Sequence, residues 1–293
     1  MISFPDISPE IFSVNLWGLE LALRWYALAY IFGFVIAGIL MKLLLKQKAL
    51  WKFATPPMDY QQVDAVLTFL ILGVILGGRL GYVLFYNFDF YIQNPINIVR
   101  LWDGGMSFHG GFIGVVFAVV FYSRSEGIPL LSMSDLIAVC SPPGLFLGRL
   151  ANFTNAELWG RPTQMPWGVV FPGERAQSCL NIEGLCARHP SQLYEAGLEG
   201  LLLFVILLIL VALGKLKKPG IITGVFMLGY GISRYCVEFF REPDQQFLTD
   251  KNPFGFAITV GDFGATMGQL LSLPMIFIGL IFIFIGNTRH RVS

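Results

Sequence analysis

The stretch "DLIAVCSPPGLFLGRLANFTNAELWGR", residues 135–161, is apolar up to Leu147 and then carries an arginine, two asparagines and a glutamate. Arg149 and Asn152 are three residues apart, as are Asn152 and Asn155, so a continuing helix presents all three on one face. Pro142 and Pro143 inside the apolar part predict a kink. A segment apolar enough for a bilayer, ending in a polar face, decides how the rest of the chain is read: membrane helices whose rims carry the chemistry.

The composition agrees. Of 293 residues, 55% are hydrophobic and only 13% charged, with 27 Phe. The mean hydropathy is +0.65. Soluble domains carry roughly a quarter charged residues, so this is an integral membrane composition. The net charge of +1 gives no case for nucleic acid. The start, "MISFPDISPEIFSVNLWGLEL", lacks a basic n-region and a small-residue cleavage site, so the first span is expected to be retained.

Seven spans are predicted, each near the roughly 20 residues a bilayer requires: about 20–44, 63–86, 107–123, 134–153, 191–213, 220–240 and 267–286. The expected fold is an all-α integral membrane protein forming one domain. The polar, Pro/Gly-containing stretch 154–190 is expected to form a small extracytoplasmic insertion between the fourth and fifth spans. Under this topology Lys42, Lys46, Lys48, Lys52, Arg124, Lys215, Lys217, Lys218, Arg289 and Arg291 share one side. The positive-inside rule makes that side cytoplasmic, with the N terminus outside and the C terminus inside.

On the opposite side every basic residue except Lys251 is an arginine: Arg24, Arg79, Arg100, Arg149, Arg161, Arg175, Arg188, Arg234 and Arg241. The planar guanidinium fork grips phosphate in two places, which lysine does not match. Arg24, Arg100 and Arg175 read as interfacial, snorkelling side chains. Arg79, Arg149 and Arg234 lie among small residues inside predicted spans, where a charge is costly and usually functional.

The sixth span repeats the pattern of the fourth. Tyr230, Arg234 and Glu238 follow at i, i+4 and i+8, with Arg241 three residues on. The alternative is an internal ion pair joining helices. In "WDGGMSFHGGFIG", 102–114, His109 opens the third span among glycines, where an imidazole could accept a proton at neutral pH. "RHPSQLYE", 188–195, reads mainly as a helix start at Pro190, with His189 and Glu195 undecided between site and scaffold. Trp25 and Tyr26 suit an aromatic belt or a site wall. Gly73, Gly77 and Gly81 mark a close-packing face beside Arg79 and Tyr82. Neither metal-ligand spacing nor a P-loop is visible. Cys179 and Cys186 flank the outer loop "LNIEGL", where a structural disulfide is favoured, while Cys140 and Cys236 read as span residues. A lipid or anion transporter would place ionisable residues near the midplane, often in an inverted repeat; here they gather at one rim and no repeat is seen.

"GRLANFTNAELWGRPT" resembles the signature of the prolipoprotein diacylglyceryl transferase family. "RWYALAY", "GGRLGYVLFYN", "WDGGMSFHGGFIG", "RHPSQLYE" and "GYGISRYCVEFFREPD" also resemble that family, in the same order and across nearly the whole chain. Ala151 stands where many members have Gly, and the "CLNIEGLC" loop is outside the family pattern. The resemblance implies an enzyme of the bacterial inner membrane with its active site at the outer leaflet. Such an enzyme moves the diacylglyceryl group of phosphatidylglycerol to the lipobox cysteine of a prolipoprotein signal peptide, without a cofactor or metal. It implies catalytic roles for His109, Arg149 and Arg234, and supporting roles for Tyr26, Asn152, Glu157, Gly160, Tyr230 and Glu238. Arg79, Asn155 and Arg241 join the substrate-binding set by their position.

Overall fold

The computed structural model describes residues 1–16, 19–179, 184–243, 247–249, 252–260 and 263–288. Arg289 and Arg291, which help to set the expected orientation, and Lys251, the one lysine expected on the opposite side, lie outside the described residues. The chain divides into two compact units: Met1–Ala37 with Ala138–Ser293, and Gly38–Ile137.

The helices follow the apolar runs. They are α1 (Trp25–Lys46), α2 (Val63–Phe85), a short α3 (Phe88–Gln93), α4 (Phe108–Ser125), α5 (Leu130–Cys140), α6 (Pro142–Thr154), a short α7 (Glu174–Gln177), α8 (Ser191–Glu195), α9 (Leu203–Ala212), α10 (Ile221–Val237) and α11 (Met267–Thr288). Between α8 and α9 the chain continues as a wider π-helical segment, Ala196–Leu202. Among the described residues, five helical stretches are long and apolar enough to cross a membrane: Trp25–Lys46, Tyr60–Phe85, Leu130–Thr154, Ser191–Ala212 and Met267–Thr288. The expected third and sixth spans are also helices, α4 with 18 residues and α10 with 17. The kink expected at Pro142 and Pro143 is a break at Ser141, where α5 ends and α6 begins with Pro in its first turn.

One boundary departs from expectation. Residues 20–24 are not helical: β2 (Glu10–Leu16) and β3 (Leu19–Arg24) form an antiparallel hairpin, and α1 starts only at Trp25. Arg24 pairs across this hairpin with Glu10 at 3.1 Å, both side chains exposed. The Trp25 indole donates to the Ser8 carbonyl at 3.0 Å, tying the helix start to the strand before it.

In the first unit, β1 (Ile2–Ser3) pairs in parallel with β4 (Val169–Val170). The Phe4 ring then packs at a tilt against Phe153 and Phe171, with centroids 5.4 Å from each. Val169, Phe171 and Ala176 are the buried centre of a small core that Trp159 also joins. The Cys179–Cys186 disulfide is formed, with Cα atoms 6.3 Å apart. Helices α10 and α11 meet through Gly224 and Gly279, which let the two backbones touch. Thr266 and Gln269 exchange side-chain-to-backbone hydrogen bonds and cap the start of α11. A further antiparallel pair, β5 (Ile258–Val260) and β6 (Phe263–Ala265), precedes it.

In the second unit, the predicted glycine face is used: Gly73, Gly77 and Gly81 of α2 lie against Gly110 and Gly114 of α4 at backbone contact. A Cβ on Gly77 would stand 2.8 Å from the Gly114 Cα.

Candidate active site

In the first unit, α6, α8, the π-helical segment and α10 bring three arginines onto three carboxylates. Arg149 Nε lies 2.9 Å from Glu195 Oε2, and its Nη2 lies 3.4 Å from Glu199 Oε2. Arg234 reaches Glu195 Oε1 at 3.3 Å and Glu238 Oε2 at 2.8 Å. Arg241 approaches Glu195 Oε1 at 3.4 Å and Glu238 Oε2 at 3.9 Å. The i, i+4 stripe on α10 therefore closes as an ion pair, and Glu195 joins the arginines of two different elements.

Burial is graded through this cluster. The three arginine side chains are 16–17% exposed, whereas Glu195 and Glu199 are 2% and 0% exposed. Carboxylates form the floor and guanidiniums the accessible layer. Such an arrangement holds cations in place without an external counter-ion and leaves them facing an incoming anion. Tyr230, buried on α10, faces Arg149. Glu238 is held from its other side by the Thr266 hydroxyl, which donates to Oε1 at 3.1 Å, so the start of α11 fixes its height.

Asn152 and Asn155 turn to a different partner. Asn152 is buried; its amide donates to Glu157 Oε1 at 2.9 Å and to the Tyr26 hydroxyl at 3.3 Å. Asn155 ends α6, its backbone N–H bonding the Ala151 carbonyl at 3.0 Å and its side chain reaching Glu157 at 3.5 Å. Beyond it, Ala156 and Leu158 both adopt left-handed backbone conformations, φ 52° and 56°. Two strained non-glycine residues persist only when their surroundings hold them. Gln192 donates to the Glu157 carbonyl at 2.6 Å and Ser191 to the Leu158 carbonyl at 3.0 Å. The start of α8 therefore braces the loop that presents Glu157, a task beyond the helix start read from "RHPSQ".

Gly160 is placed by packing. Its N–H bonds the His189 carbonyl at 2.8 Å, and the next N–H, of Arg161, bonds the Phe240 carbonyl at 2.8 Å. A Cβ here would collide with the Phe240 carbonyl oxygen and with His189. The bridge from Gly160 to Arg241 sets where Arg241 leaves α10. Arg188 supports the same junction. It is 2% exposed, donates to the Ala176 carbonyl at 2.6 Å and pairs with Glu242 at 2.9 Å. Its guanidinium lies 4.0 Å from the Trp159 ring centroid. Burial lowers the Arg188 pKa from its ordinary value, with Glu242 acting against that shift.

His109 and Arg79 belong to the second unit. His109 is exposed in the first turn of α4, whose N terminus is capped by Ser107 accepting from the Gly110 N–H at 3.2 Å. Arg79 is 4% exposed and donates to the carbonyls of Asn97, Ile98, Arg100, Gly104 and Gly105. Its whole fork is engaged in holding the segment that leads into α4.

Glu199 escaped the sequence reading, although an acidic residue four positions after Glu195 inside a span was a signal in its own right. The roles of Arg188 and Gln192 have no such signal, since Gln192 acts through the Glu157 carbonyl and Arg188 through the Ala176 carbonyl and Glu242, all in other segments.

The helices and this cluster define a class: a polytopic helical membrane protein with arginines arrayed over buried carboxylates. The prolipoprotein diacylglyceryl transferase family model matches residues 14–285. A relative from Ruegeria pomeroyi, named phosphatidylglycerol–prolipoprotein diacylglyceryl transferase, is 61% identical over 284 residues, covering 97% of this chain and 96% of the relative. Relatives of the same name from Cereibacter sphaeroides and Bradyrhizobium diazoefficiens are 58% identical over 282 residues and 48% over 291. These alignments cover 96% of both chains for the first, and 99% of this chain and 95% of the relative for the second. The chain belongs to the prolipoprotein diacylglyceryl transferase family and is a transferase.

Proposed function

We propose that the chain transfers the diacylglyceryl group of phosphatidylglycerol to the thiol of a lipobox cysteine in a prolipoprotein signal peptide. The products are a thioether and glycerol phosphate, and the reaction is the first step of lipoprotein maturation. The observation that carries this reading is the layer of Arg149, Arg234 and Arg241 over Glu195, Glu199 and Glu238. An anionic phosphodiester meets that layer with guanidiniums already aligned.

Arg149 and Arg234 bind the phosphate and stabilise the charge that grows on it as it leaves. The cysteine thiol gives its proton to a base, its sulfur forms a bond to the glyceryl carbon, and the bond from that carbon to the phosphate oxygen breaks. Glycerol phosphate departs with the electron pair. A free thiol with a pKa of about 8.5 is only slightly ionised at neutral pH, so the base matters. His109 is the proposed base. Glu238 already bonds Arg234 and Thr266, and Glu157 already accepts from Asn152, which favours supporting roles for both. Tyr26, Asn152, Asn155, Glu157 and Tyr230 shape the headgroup site, Gly160 and Arg241 set its edge, and Arg79 holds the approach to His109.

The topology proposed with this chemistry is seven spans in the bacterial inner membrane, N terminus outside and C terminus in the cytoplasm, with the site at the outer leaflet and residues 154–190 as an extracytoplasmic head. Incubating purified protein with phosphatidylglycerol and a lipobox peptide tests the activity. A peptide mass gain of one diacylglyceryl group is expected; folded protein giving no gain would overturn it.

A further inference from the structure

Arg149 is held from two directions by carboxylates four residues apart, Glu195 at Nε and Glu199 at Nη2. Glu195 is shared with Arg234 and Arg241, so it cannot orient Arg149 alone. Glu199 pairs with Arg149 only, among the ion pairs of the described residues. It is wholly buried, and its Oε1 has no hydrogen-bond partner among the described residues. A buried carboxylate with an unsatisfied oxygen is costly, and an apolar side chain of similar size would pack there more favourably. The backbone around it is π-helical, a wide turn that is rare and concentrated at functional sites. Gly200, beside it, packs against Phe146 of α6, which brings the carboxylate within reach of Arg149.

We propose that Glu199 is a positioning residue for Arg149, fixing the plane of its guanidinium so that the other terminal nitrogen is presented to the lipid phosphate. This rests on the phosphate role proposed above for Arg149. Contacts at Nε and Nη2 together define that plane; without Glu199 the ion pairs of the described residues hold Arg149 at Nε alone, beside Tyr230. Replacing Glu199 takes an acidic group, and no arginine, from the cluster. That removal should therefore leave attraction for the anionic lipid intact or stronger. It should lower turnover, because the charge growing on the leaving phosphate meets a guanidinium no longer held in line.

The experiment compares wild type, Glu199→Gln and Glu199→Ala, as purified full-length protein, for transfer to a lipobox peptide at varied phosphatidylglycerol, with thermal unfolding of each. Both variants are expected to lose about tenfold or more in kcat, the loss of one charge-assisted contact, without a rise in KM for the lipid. A packing role predicts a near-normal Gln variant and an Ala variant impaired in step with its unfolding temperature, and that result overturns the proposal. So does a raised KM at unchanged kcat. Folded wild type without transfer would remove the proposed function and this inference with it, whereas active wild type with an unaltered Gln variant would remove the inference alone.

Discussion

Arg149 and Arg234, on different helices, share one carboxylate: Glu195 offers Oε2 to Arg149 Nε at 2.9 Å and Oε1 to Arg234 Nη1 at 3.3 Å. A single buried side chain thereby sets the separation of the two cations proposed to grip the phosphate.

Because Arg241 also reaches Glu195, losing either arginine leaves that carboxylate paired. Arg149→Ala and Arg234→Ala are expected to fold in membrane yet lose transfer by about a hundredfold or more, as when one transition-state donor is removed. Steady-state assays on purified variants check this, and near-normal activity in either would reject its phosphate role.

Glu195→Ala has the opposite profile. It leaves three guanidiniums over Glu199 and Glu238 alone, and breaking a buried ion pair from one side costs about 3–5 kcal/mol. Its unfolding temperature in detergent is expected to fall further than that of Arg234→Ala or Arg241→Ala, which leave every glutamate of the cluster paired.

Gly160→Ala places a Cβ against the Phe240 carbonyl and His189. Overpacking of this kind costs about 1–3 kcal/mol. Thermal unfolding measures that cost, and a parallel loss of activity is expected because the same junction sets Arg241.

Reducing Cys179–Cys186 reopens a short loop, seven residues in sequence separation, with an expected cost of about 2 kcal/mol. Unfolding with and without reductant checks the size, and alkylation under non-reducing conditions should label neither cysteine.

Burial gives His189 a pH dependence. Burial lowers its pKa below the ordinary imidazole value, so the unfolded chain binds the proton more readily than the folded one. Its contribution is fully present above about pH 6.5 and is lost as pH falls through the lowered folded value. Unfolding temperature should therefore drop on acidification, and less so in His189→Asn.

Local pattern made much of this architecture legible. The apolar runs, the proline break at Ser141 and the Gly73–Gly77–Gly81 face depend on residues near in sequence, and each is found where the periodicity puts it. The first span begins at Trp25, about five residues after the expected start, because "LELALR", 19–24, is apolar enough to read as an extension of the helix. Leu19, Leu21 and Leu23 alternate with Glu20, Ala22 and Arg24, a strand signal that the hydrophobicity of "WYALAY" obscured.

The sequence by itself determined that this is a helical membrane chain with arginine stripes on two separate segments, since composition and i, i+3/i+4 spacing are properties of the chain alone, and its motifs carried the resemblance to the transferase family. Only the tertiary structure decided what those stripes meet. Glu195 and Glu199 under three arginines, Arg79 caged by five carbonyls, and Gly160 in the contact of three strands of chain all join residues far apart in sequence. Buried charge and buried backbone must find partners wherever the fold brings them, and no local pattern specifies which partners those are.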